Sequence, residues 1–166
     1  MQYLPVKTDE DITTLAGIAH DIWFEYWPDH IGLAQVEYMV DKFQSKSAIT
    51  RAINVDGYLY FILVGEEGTV GYTGVHIEKE EGRLFLSKLY LYKPERGKGY
   101  ASKTMRFLVE LCKENGLSSI YLTVNKGNDL AIRAYLGMDF KTIDSVETDI
   151  GKGFIMDDYI MEKQLG

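Results

Sequence analysis

Tyr92-Lys93-Pro94-Glu95-Arg96-Gly97-Lys98-Gly99-Tyr100-Ala101 lies between two stretches of different period. Upstream, residues 84–92 form an apolar, β-rich run that reads as a strand. Downstream, Ala101, Met105, Leu108, Val109 and Cys112 mark one face of a helix over about residues 98–115, closed by Gly116. The turn between them is rich in small residues. Gly97, Gly99 and Ala101 let a ligand approach the backbone closely. The first amides of a helix have no partner within it and, with the helix dipole, they attract an anion. Arg96 and Lys98 add positive charge, so the expected ligand is a pyrophosphate. A phosphate loop of the G-x-x-x-x-G-K-[ST] kind is absent, and Ser102 stands where a dinucleotide-binding G-x-G-x-x-G would end. Taken alone, the two glycines also fit a plain tight turn.

The 166-residue chain is 46% hydrophobic and 26% charged, which excludes disorder, collagen and coiled coil and fits one domain over residues 1–166. The net charge is −7, a poor balance for gripping phosphate backbones, so no nucleic-acid partner is expected. The charge is uneven. Residues 83–113 hold eight Lys/Arg against two Asp/Glu and frame the glycine turn. Residues 1–82 hold five Lys/Arg against fourteen Asp/Glu. A local anionic ligand and a cationic one elsewhere fit this split. A single cysteine, Cys112, excludes an internal disulfide and sits on the apolar stripe of its helix, where it reads as core. No Cys-based metal site is spelled out, and no metal is expected. No apolar run approaches the roughly 20 residues of a membrane helix, and the first residues lack a secretory pattern. No membrane association is expected, and the reading is a cytoplasmic protein.

The remaining elements follow from period and punctuation. Residues 2–7 read as a short strand. Asp9 and Asp11 are candidate caps for a helix to about residue 24, which Pro28 ends. A second helical region covers 33–53, with a restart near Ser45. Residues 58–64 (YLYFILV) suit a strand buried on both faces. With 70–78 and 84–92 they form an antiparallel meander joined by two Glu-Glu-Gly turns. A strand at 119–124, a short helix at 128–136 and a terminal pair of strands at 140–149 and 154–163 complete a mixed α/β order. On the short helix, Asn128, Ala131 and Tyr135 share one face. A tyrosine so placed can donate a proton to a leaving group, and Asn128 also fits a helix cap.

Together these segments resemble the GNAT N-acetyltransferase superfamily. Arg96-Gly97-Lys98-Gly99-Tyr100-Ala101 fits its R/Q-x-x-G-x-G/A loop, Leu89-Tyr90-Leu91 the strand before it, and Asn128-x-x-Ala131-x-x-x-Tyr135 its second motif. The element order matches nearly the whole chain. Two positions depart from the pattern. Asp139-Phe140 replaces a common Gly-Phe, and Ser87 with Lys88 stands where many members carry an acid on the strand.

The resemblance implies a mixed, mostly antiparallel sheet of about seven strands with about four helices, splayed in the middle to hold CoA. It implies acetyl-CoA as co-substrate. Backbone groups of Leu89 and Leu91 would pair with the pantetheine arm, and the amide near Leu89 would polarise the thioester carbonyl. Backbone amides of Arg96, Gly97, Lys98, Gly99, Tyr100 and Ala101 would bind the pyrophosphate. Asn128 would hold the pantetheine, and Tyr135 would protonate the departing thiolate. The reaction would be direct attack of a neutral amine in a ternary complex, with no covalent enzyme intermediate.

In this superfamily the acceptor meets the first two helices and the last hairpin. Here these carry Trp23-Phe24-Glu25-Tyr26-Trp27-Pro28-Asp29-His30, with Asp157 and Asp158. Aromatics interleaved with acids suit a small-molecule cationic amine. Glu25, Trp27, Asp29 and His76 are the acceptor-site candidates, with Glu25, Asp29, His30 and His76 candidate bases. The segments 23–30 and 156–163 are similar to bacterial members regarded as diamine or polyamine acetyltransferases. Acetylation of another amine (an amino acid, an aminoglycoside-like drug or a protein N-terminus) stays open, as does a non-catalytic acyl-CoA-binding module. Apolar terminal strands in this superfamily often build dimers, which makes a homodimer the expected assembly.

Overall fold

A computed structural model describes residues 1–26 and 31–166. Trp27, Pro28, Asp29 and His30 therefore lie outside the described residues. The strands are β1 (Gln2–Pro5), β2 (Leu59–Gly65), β3 (Gly68–Glu78), β4 (Arg83–Leu91), β5 (Ser119–Asn125), β6 (Lys141–Gly151) and β7 (Phe154–Gln164). Their order in the sheet is β1-β2-β3-β4-β5-β7-β6. The described α-helices are α1 (Asp9–Tyr26), α2 (Leu33–Met39), α3 (Lys46–Asn54), α4 (Tyr100–Glu114) and α5 (Asp129–Gly137). This is the mixed α/β class expected from the sequence. By contacts the chain forms two compact units, residues 1–76 with 88–103, and residues 77–87 with 104–166.

In the first unit β2 pairs antiparallel with both β1 and β3. Helix α1 starts on a reciprocal cap. Thr8 Oγ1 accepts the Asp11 amide at 3.0 Å, and Asp11 Oδ2 accepts the amides of Lys7 and Thr8, each at 3.0 Å. The cap is thus Thr8, with Asp11 answering it three residues on, rather than Asp9. Ile12, Leu15, Ile18, Ala19 and Ile22 then repeat at helical spacing and bury against Ile49, Tyr60, Ile62 and Tyr72. The second helical region is broken by a π-helical turn over Val40–Gln44, and Ser45 restarts it by capping α3 through the Ala48 amide at 3.2 Å.

Strand β2 differs from its expected double burial. Leu59 is exposed and Phe61 half-buried, while Tyr60, Ile62 and Leu63 are buried. Tyr72 is fully buried and its hydroxyl has partners on both sides. It accepts the Trp23 indole N–H at 3.0 Å and donates to Gln44 Oε1 at 3.1 Å. Gly71 is required sterically, because a Cβ there would collide with the Tyr90 carbonyl oxygen on β4.

In the second unit residues Arg83–Leu86 of β4 run parallel to Ser119–Leu122 of β5. Strands β5 and β6 both pair antiparallel with β7. Met105, Leu108 and Cys112 of α4 are buried, as are Ile120, Leu122 and Val124 of β5 and Met161 of β7. Asp139 takes a left-handed backbone, φ 70°, just before buried Phe140. Glycine enters that region freely, and aspartate tolerates it better than most residues. The departure from Gly-Phe therefore keeps the turn.

Candidate active site

The glycine turn belongs to the first unit. Strand β4 ends at Leu91, and a 3₁₀ turn over Lys93–Glu95 follows. The turn is closed by Glu95 N–H to Tyr92 O at 2.9 Å and by Arg96 N–H to Lys93 O at 3.2 Å. The Arg96 amide is thus spent inside the turn, unlike its expected place among the phosphate donors. Its guanidinium Nε donates to Leu91 O at 3.2 Å, so Arg96 also fixes the end of the strand.

Gly97 and Gly99 both adopt left-handed backbone, with φ of 79° and 84°. A Cβ on either would meet no protein atom within 4 Å. Their need for glycine is conformational, and the space beside them stays open to a ligand. Gly99 O accepts the Lys103 amide at 3.1 Å, which begins α4. The first-turn amides of Ala101 and Ser102 therefore have no intrahelical acceptor. Lys98 Nζ stands 3.4 Å from Glu95 Oε2. The Tyr100 hydroxyl packs against Gly65, where a Cβ would sit 2.8 Å from it. Glycine spacing, open volume and helix start together fit a bound pyrophosphate.

Of the acceptor candidates, Glu25 is exposed and its Oε1 accepts the Lys93 amide at 2.9 Å. It ties the end of α1 to the start of the phosphate turn, a contact across 68 residues that sequence spacing cannot show. His76 is half-buried on β3 and its ring lies 4.9 Å from that of Tyr58. Beside it, Lys88 Nζ lies 5.9 Å from the Tyr58 ring centre and 5.7 Å from that of Tyr60. Burial lowers the Lys88 ammonium to about 8. Leu89 and Leu91 are half-buried on the same strand.

In the second unit, Asn128 caps α5 through its Oδ1 and the Ala131 amide at 3.2 Å. Tyr135 follows on the helix, its ring set edge-on to Phe140 at 5.4 Å. Burial pushes the Tyr135 hydroxyl up to about 12, so it stays protonated at physiological pH. Cys112 is buried and its thiol is pushed up to about 11, which leaves almost no thiolate.

One carboxyl stands out in this unit. Asp158 on β7 is 4% exposed, and its Oδ1 has no hydrogen-bond partner. Burial pushes it up to about 6, with Asp157 adding repulsion. Alternation along β7 sets Asp158 on one face with Phe154, Met156 and Ile160, all half-buried, so a carboxyl occupies a position in an apolar row. Among the described residues no group of three or more His, Cys, Asp or Glu could hold a metal ion, and no helix is long and apolar enough to cross a membrane.

In the first unit the glycine turn opens onto α4, and in the second Asn128 caps the helix that bears the protonated Tyr135. The model of the acetyltransferase (GNAT) family matches residues 19–140, and the chain belongs to that family. It is 30% identical over 91 residues to YycN of Bacillus subtilis (strain 168), described as an uncharacterized N-acetyltransferase. That match covers 54% of this chain and 58% of the relative's length. The fold is similar to that of the PaiA N-acetyltransferase from Thermoplasma acidophilum in complex with coenzyme A, at a TM-score of 0.78, 21% identity and 99% coverage of both chains. It is also similar to a phosphinothricin acetyltransferase from Sinorhizobium meliloti in complex with acetyl-CoA, at a TM-score of 0.69 and 17% identity, covering 100% of this chain and 90% of that one.

Proposed function

We propose that this chain is a single N-acetyltransferase domain over residues 1–166, acting in the cytoplasm as a homodimer. It moves the acetyl group of acetyl-CoA to a primary amine by direct attack, most favourably to a small cationic amine such as a polyamine or diamine. The observation that carries the reading is the pair of left-handed glycines, Gly97 and Gly99, beside open space at the start of α4. Acetyl-CoA supplies the activated thioester. Backbone amides from Gly97 to Ala101 hold its pyrophosphate, with Lys98 adding charge. Backbone groups of Leu89 and Leu91 align the pantetheine arm, and Asn128 holds it. The Tyr135 hydroxyl gives its proton to the leaving sulfur, a role its raised pKa supports by keeping it protonated. The proton lost by the attacking amine passes through a base (Glu25, Asp29, His30 or His76 being the candidates) to solvent, which reprotonates Tyr135. Positioning and electrostatics carry the rate, since buried Cys112 is unfit as a nucleophile.

The acid excess in residues 1–82 supports a cationic acceptor, with Glu25, Trp27, Asp29 and His76 as its binding residues. A second reading, an amino acid or other amine bearing an anionic group, is favoured by the Lys88 ammonium over Tyr58 and Tyr60. The test is CoA thiol release measured across a panel of amines. Release with spermidine or putrescine is expected. Release only with amino acids would select the second reading, and none with any amine would overturn both.

A further inference from the structure

Asp158 is a buried carboxyl whose Oδ1 lacks any hydrogen-bond partner in the protein. Such an atom is costly, since a buried polar group left unpaired forfeits its water without replacement. Its surroundings are specific. On β7 it pairs with Asn125, the last residue of β5, and on the other side with Val146 of β6. Cross-strand partners project on one face, so Asp158 has an amide on one flank and an apolar side chain on the other. Asn125 O accepts the Asn128 amide at 2.9 Å and Asn125 Oδ1 the Gly127 amide at 2.8 Å. Asp158 thus borders the loop that carries Asn128 into α5. The nearby cation is otherwise engaged. Lys126 Nζ lies 2.8 Å from Asp157 Oδ1 and 5.3 Å from the Tyr159 ring centre.

We propose that Asp158 anchors an ammonium group of the acceptor, which supplies the donor its Oδ1 lacks. The inference rests on the acetyltransferase reading and names the acceptor's chemical class, a compact cation with N–H donors. An anionic acceptor is disfavoured at this carboxylate. The charged groups that act on it among the described residues are Asp157, its neighbour on β7, and Lys126 on the β5–α5 loop. On its own face of the sheet the titratable group of β6 is Asp144, which pairs with Ile160. Lys126 lowers the Asp158 pKa and Asp157 raises it, so their pairing with each other leaves burial as the main influence.

The experiment compares wild type, Asp158→Asn and Asp158→Glu by CoA release with spermidine, or with the panel amine turned over fastest. Acetyl-CoA affinity and thermal stability are measured in parallel. For Asp158→Asn the amine KM should rise at least tenfold, with kcat changed less than threefold and acetyl-CoA Kd unchanged. The wild-type KM should also rise as pH falls below 6, and this rise should vanish in Asp158→Asn. Asp158→Glu should recover part of the lost affinity, and it replaces the first variant if that one fails to fold. An unchanged KM in a folded variant, or a wild-type KM flat from pH 7.5 to 5, would overturn the anchor and leave the acetyltransferase reading standing. A wild type that releases no CoA with any amine overturns both.

Discussion

Glu25 near the end of α1 accepts the backbone N–H of Lys93 at 2.9 Å. The residue read from sequence as an acceptor contact therefore also braces the turn that leads to Gly97. The two roles predict different failures. Glu25→Ala should raise the acetyl-CoA Kd several-fold, while an exposed contact of this kind contributes about 1 kcal/mol or less to stability. Calorimetric titration with acetyl-CoA checks it, and a change confined to the amine KM would remove the bracing role.

Gly99 sits at φ 84° with no protein atom near the position of a Cβ. Gly99→Ala should cost about 1–2 kcal/mol through backbone strain alone. Acetyl-CoA affinity should fall tenfold or more, because a methyl group then occupies the approach to the α4 amides. A thermal melt with a binding titration separates the two losses.

Tyr135→Phe keeps the ring against Phe140 and removes the proton donor. Turnover should fall at least tenfold with acetyl-CoA Kd nearly intact. Because the hydroxyl is pushed up to about 12, wild-type kcat should show no loss from Tyr135 ionisation up to pH 9. Steady-state kinetics across pH tests both statements.

Asp158 also predicts how stability depends on pH. Its folded pKa, about 6, lies above the ordinary 3.8. Between these values the folded state binds more protons than the unfolded one, so stability falls as pH rises from about 4 to 6. The shift corresponds to roughly 2–3 kcal/mol by the usual conversion. Asp158→Asn should raise the Tm by several degrees at pH 7.5 and change it little at pH 4. A lower Tm at pH 7.5 would show that the carboxylate stabilises the free protein.

Most elements were legible because period and punctuation agree with the tertiary structure. The stripe Ile12–Leu15–Ile18–Ala19–Ile22 is buried as its spacing demands, and Ser45 restarts a helix as its type allows. The glycine turn was legible because few contexts require Gly97 and Gly99 before a helix. What stayed hidden depends on distant partners. Thr8 displaced Asp9 as the cap only through the reciprocal geometry with Asp11. The exposure of Leu59 defeated a double-burial reading that the run YLYFILV invites. Spending of the Arg96 amide on Lys93 required the 3₁₀ turn to be seen. Burial of Asp158 and desolvation of Lys88 come from strands and rings far away in sequence.

The Trp23–Tyr72–Gln44 chain carries a consequence for how such a sequence can drift. Replacing Tyr72 by Phe removes the one hydroxyl that both accepts from the Trp23 indole N–H and donates to the Gln44 amide oxygen. Any one of the three is locked while the other two remain. Exchange for an apolar trio is cheap only if all three change at once, so α1, the π turn and β3 are bound to one another's mutational history.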